Sequence, residues 1–114
     1  MNFELTYELD FKRVMSAVIN DSRNTIPSIS GKDGNAIQAY VQTQTSLVVP
    51  GVLVYRIVGD NGVLGGYCGL QVQNGVANLL FMQLRPAFQQ FLYLISPIIR
   101  NFISNNQFNA DYLA

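Results

Sequence analysis

These 114 residues include no histidine, no tryptophan and a single cysteine. Without histidine there is no Ser-His-Asp or Cys-His nucleophile system, and the commonest transition-metal ligand is missing. Cys68 cannot close a disulfide within the chain, which excludes a stapled secreted scaffold. Charge is scarce as well. Seven acidic and seven basic residues make up 12% of the chain, about half the usual quarter. They balance, and no run of Lys and Arg occurs. A phosphate-backbone binder needs such a run, so nucleic acid is not expected as the main ligand.

Amides fill the gap, with 11 Asn and 9 Gln. An amide-rich, weakly charged surface is expected to be covered by protein partners or by further copies of the chain. The hydrophobic share is 49%, and a chain of this length buries enough surface for a core without staples. We read residues 1–114 as one domain. The start, "MNFELTYELD", has early acids and no basic segment before an apolar run, so it does not read as a signal peptide.

Periodicity supplies the elements. "NFELTYEL" alternates, with Phe3, Leu5, Tyr7 and Leu9 on one side, and reads as a half-buried strand with a wet face. Asp10 is placed to cap a helix with Phe11, Val14, Met15 and Val18 at helical spacing through about Asn20. "DSRNTIPSISGKDG" reads as a loop. Asp33 is placed to cap a second helix, "NAIQAYVQTQTSL", with Ile37, Tyr40, Val41 and Gln44 on its stripe. Three strands follow at 52–58, 63–72 and 76–84, joined by "GDNG" and "QNG". Those connectors are hairpin signals because Asn and Gly accept positive φ. The three strands form an antiparallel meander, and the first and third, apolar on both faces, are expected to be covered on both sides.

The most apolar stretch comes last. Phe88, Phe91, Leu92, Ile95, Ile98, Ile99, Phe102 and Ile103 form one stripe at spacings of three and four. Gln89, Gln90, Tyr93, Ser96, Arg100, Asn101 and Ser104 form a polar flank. A membrane span needs about 20 nearly unbroken apolar residues, so this reads as a core helix lying on the sheet. Pro86 suits its first turn, and Pro97 is expected to kink it. "FNADYL" reads as a last short strand. The fold class is α+β, a mainly antiparallel sheet with helices packed on it, in the order β-α-α-β-β-β-α-β.

That order, over residues 2–113, resembles the core of the GNAT-type N-acyltransferases. The resemblance rests on element order and on the helix that starts directly after the third meander strand, and the chain stops short of the family's closing elements. It implies a Gln/Arg-x-x-Gly-x-Gly/Ala loop at that junction, whose amides and helix start hold the pyrophosphate of acyl-coenzyme A. Here the junction reads "RPAFQQ". Arg85 matches the first position, whereas Phe88 and Gln90 stand in place of the glycines and Pro86 removes an amide donor.

These departures point to a non-enzymatic structural or assembly protein with a GNAT-like core, such as a phage virion component. It would have no cofactor, no catalytic residue and no metal, and would sit in the cytoplasm or in an assembled particle. The alternative is a minimal acyl-CoA-dependent N-acyltransferase, with acetyl-CoA at Gln83, Leu84, Arg85, Ala87 and Phe88. The resemblance would then make Tyr93 or Tyr112 a proton donor to the leaving thiolate. A second alternative is a small-molecule or peptide binding module on the bare strand centre of Gly65, Gly66 and Gly69. Glycine in a strand otherwise marks a bulge or close packing, and packing is favoured. Carboxylates are poorly placed. Glu4 and Glu8 would lie about 13 Å apart on one strand, Asp10 and Asp33 read as caps, Asp60 belongs to a turn, Asp21 to a loop or helix end, and Asp111 lies near the terminus. Cys68 reads as a buried, inert thiol.

Overall fold

The computed structural model of the chain describes residues 1–74, 76–91 and 109–110. A five-stranded sheet runs in sequence order: β1 (Asn2–Thr6), β2 (Val52–Val58), β3 (Leu64–Gln73), β4 (Val76–Leu84) and β5 (Asn109–Ala110). The first four strands are antiparallel and β5 joins β4 in parallel. Between β1 and β2 lie α1 (Phe11–Ser22) and α2 (Gly34–Ser46), and α3 (Pro86–Gln89) opens after β4.

The hairpins form where the sequence carries their turn residues. Gly62 has φ 82°, and its N–H donates to the Gly59 carbonyl, while Asn74 has φ 53° after β3. Side chains alternate across a strand, so Val54 and Tyr67 reach one face of the sheet. There they share a buried cluster with Val14, Met15, Val18 and Ile19 of α1 and with Ile37 and Val41 of α2. The neighbouring Tyr55, Ile57, Cys68 and Leu70 belong to a second cluster, with Ala77 and Leu84.

Several local expectations change. The run at 2–9 stops being a strand at Thr6, because the chain leaves the sheet through a 3₁₀ turn at Glu8–Asp10 to begin α1. Leu9 is 98% exposed as a result, while Thr6 is buried. Glu4 and Glu8 therefore do not share a strand, and Glu4 pairs with Arg56 at 2.9 Å. Asp10 precedes α1 but its side chain makes no cap hydrogen bond; its carboxylate pairs with Arg13 one turn on, at 2.9 Å. Asp33 does cap α2, its carboxylate accepting from the Ala36 N–H at 3.1 Å. The segment read as a loop from Asp21 begins inside α1 and continues into a 3₁₀ turn at Arg23–Thr25. β4 is less covered than its apolar sequence suggests, with Leu80 45% exposed. The reason is a bulge. Gly69 faces Phe81 and Leu70 faces Leu79, so Leu80 is the extra residue, and a bulge re-aims the strand. The Pro97 kink and the apolar stripe beyond Phe91 lie outside the described residues, as do Tyr93, Asp111 and Tyr112. No helix among the described residues is long and apolar enough to cross a membrane.

Candidate functional site

The candidate site is the junction where β4 ends and α3 begins, Gln83 to Gln90. Its backbone is held from three directions. The Arg85 N–H donates to the Gly65 carbonyl of β3 at 2.8 Å. Ser22, at the end of α1 and fully buried, donates its hydroxyl to the Leu84 carbonyl at 3.0 Å. The amides of Gln83 and Gln89 donate to that same carbonyl at 3.3 and 3.2 Å. Gln89 also donates to the Thr25 hydroxyl at 3.0 Å. With so many donors, the Leu84 carbonyl is already satisfied. Ser22 and Thr25 are invisible to local pattern reading, because their partners lie more than 60 residues away.

Arg85 is turned inward. Its Nη1 donates to the Leu64 carbonyl at 2.9 Å, and its Nε lies 3.3 Å from Asp21 Oδ2, an ion pair without hydrogen-bond geometry. Asp21 is therefore the partner of the residue that matches the first position of the loop. Its side chain is 56% exposed and that of Arg85 27%.

The glycines explain Phe88. Ile57 faces Gly66 and Val58 faces Leu64, so Gly65 is the extra residue of a second bulge. A Cβ on Gly65 would collide with the Phe88 ring, and one on Gly59 would also meet that ring. Phe88 is thus seated in a slot made by two glycines of neighbouring strand ends. Phe81 covers Gly69 in the same way, and the backbone of Gln83 and Leu84 closes on Gly66. The bare strand centre is a packing surface, as favoured from the sequence, and not the floor of a pocket.

The expected obstruction by Phe88 accordingly changes. Its ring rests against Gly65 and Gly59 and meets Phe91 edge to face at 6.3 Å. The residues present fit an anionic cofactor to this extent: the Phe88 ring is packed on glycines, and Arg85 has an Nη2 with no partner among the described residues.

Among the described residues, β4 pairs with β5 at Val76 and Ala77. Cys68 sits in the interior strand β3, between Tyr55 of β2 and Met82 of β4. It is 1% exposed, and burial pushes its thiol up to about 12. We expect no reaction with a disulfide reagent in the native protein at mildly alkaline pH and full labelling in concentrated guanidinium, read by absorbance, because a thiolate is the reacting species. A separate groove of about 580 Å³, unforeseen from the sequence, runs between α1 and α2. It is lined by Lys12, Asn20, Gln38 and Gln42 and shares no residue with the junction. No group of three or more metal-ligating side chains occurs among the described residues.

No family model matches the chain, and no curated protein is similar to it in sequence. Solved structures do match. The PaiA N-acetyltransferase from Thermoplasma acidophilum, in complex with coenzyme A, superimposes with a TM-score of 0.58 at 13% identity, covering 95% of this chain and 76% of that one. A protein assigned to the GNAT acetyltransferase family from Staphylococcus aureus subsp. aureus superimposes with a TM-score of 0.52 at 8% identity, covering 97% of this chain and 98% of that one. The fold is GNAT-like. The order β-α-α-β-β-β-α-β expected from the sequence is the order observed. One expectation is overturned. A non-enzymatic structural or assembly protein, with a phage virion component as its example, finds no counterpart among these GNAT-like neighbours, which are acetyltransferases. That expectation rests on Pro86, Phe88 and Gln90 at the junction, on missing catalytic groups and on low charge, and of these the Phe88 ring is accounted for by its packing on Gly65 and Gly59.

Proposed function

We propose that the chain is an acyl-CoA-dependent N-acyltransferase that takes acetyl-CoA at the β4–α3 junction, with its pyrophosphate beside Arg85. The observation that carries this reading is the β4–α3 junction itself: Arg85 stands at its head, and the Phe88 ring packs against Gly65 and Gly59. That a GNAT-like neighbour holds coenzyme A supports it. Of the residues expected to meet the cofactor, Arg85 offers Nη2, Ala87 offers its backbone amide, and Gln83 offers its side-chain amide. Leu84 contributes position only, its carbonyl being taken. Phe88 contributes its packing over Gly65. The reaction joins the acceptor's amine nitrogen to the thioester carbonyl carbon. The carbon–sulfur bond breaks, and coenzyme A leaves as the thiol with the proton the amine gives up.

Thermal melting with acetyl-CoA tests the reading. A ligand present at 100 times its dissociation constant stabilises the native state by about 2.7 kcal/mol, a rise of roughly 10 °C in Tm for a chain of this size. Acetate alone should give none. An unchanged melting curve at millimolar acetyl-CoA would remove this function.

A further inference from the structure

We infer that Asp21 is a built-in competitor for the cofactor, its carboxylate occupying the guanidinium that the acyl-CoA phosphates would engage. This rests on the proposed function and adds a residue that no pattern at the junction contains. Arg85 is the only cation among the described residues of the junction. One of its edges is fixed on the Leu64 carbonyl, so it stays in place whether or not a ligand is present. Its Nε looks at Asp21 across 3.3 Å. That contact lacks the angle of a hydrogen bond, so it attracts by charge without a strong directional bond. Asp21 is more than half exposed and sits near the last turn of α1, where it can turn into solvent without unfolding anything.

Two negative groups therefore face one positive group. With Asp21 charged, a phosphate arriving at Arg85 meets a guanidinium already neutralised and a carboxylate that repels it. In Asp21→Asn the same guanidinium presents its full charge. The neighbouring Ser22 keeps the Leu84 carbonyl in place in either case, so the junction's shape is held independently of the charge.

Titration calorimetry of acetyl-CoA into four proteins tests this: the wild type, Asp21→Asn, Arg85→Gln and the double variant, each at low and high sodium chloride. Asp21→Asn should bind about two- to fivefold more tightly than the wild type at low salt, the range an exposed ion pair spans. Arg85→Gln should bind more weakly, and Asp21→Asn should add nothing in its background. The gain should shrink at high salt because exposed charges are screened. Melting curves taken alongside confirm that each variant is folded. Equal or weaker binding by Asp21→Asn, or a gain that persists without Arg85, overturns the inference while leaving the proposed function intact. Binding by Asp21→Asn where the wild type shows none supports it. If none of the four proteins binds acetyl-CoA, the proposed function falls and this inference with it.

Discussion

Replacing Gly66 by alanine is expected to destabilise the protein by about 3 kcal/mol, at the upper end of what overpacking usually costs. The added methyl group would strike the Gln83 carbonyl oxygen of the β4 backbone and the Leu84 Cδ2, and would crowd the Leu84 Cα. No rotamer change relieves a clash with backbone. β3 and β4 would have to separate beside the junction, where Arg85 also bonds Gly65. Gly65→Ala and Gly69→Ala meet ring atoms of Phe88 and Phe81 instead, and rings can swing. These two should lose about 1–2 kcal/mol each. Urea unfolding of the three variants checks the order. Equal losses at all three positions would mean that the strands are not held as closely as described.

Tyr67 is the second sensitive point. It is fully buried in the middle of β3, packs edge to face on Phe81 at 6.0 Å, and donates its hydroxyl to Gln44 Oε1 at 3.1 Å. Burial raises the pKa of its hydroxyl, so it remains a donor at any working pH. Tyr67→Phe removes one hydrogen bond, and Gln44 is only partly buried and can turn to water. The expected loss is about 1 kcal/mol. Tyr67→Ala removes the ring as well and should cost about 3–5 kcal/mol. Since a whole domain is stable by only about 5–15 kcal/mol, the alanine variant should lose a large part of that margin and melt well below the wild type. The difference between the two variants isolates the ring from the hydroxyl. If Tyr67→Phe lost as much as Tyr67→Ala, the hydroxyl and not the ring would dominate this position.

Strands and helices were legible where period and punctuation agreed. β2 and β4 have the boundaries their sequence predicts, because Pro50-Gly51, "GDNG" and "QNG" bracket them. β1 was legible as a strand but not in length, since nothing local says where the chain must climb off the sheet to reach α1. The stripe of α2 even included Gln44, whose reason is the distant hydroxyl of Tyr67. The candidate site was less readable. Arg85 and Phe88 stand out from the junction pattern, but that pattern says only that Phe88 occupies a glycine's place. Where the ring goes depends on glycines 23 and 29 positions earlier, Gly65 and Gly59, and a pattern confined to six residues cannot hold that information. Asp21 and Ser22 were hidden for the same reason: their importance comes from the end of a strand more than 60 residues away.

The seating of Phe88 over Gly59 and Gly65 ties three distant positions into one evolutionary unit. A lineage that enlarges position 65 must shrink position 88, and one that trims Phe88 frees both glycines to vary. Homologous sequences should therefore show these sites drifting in concert, with compensated pairs surviving where either change alone is purged.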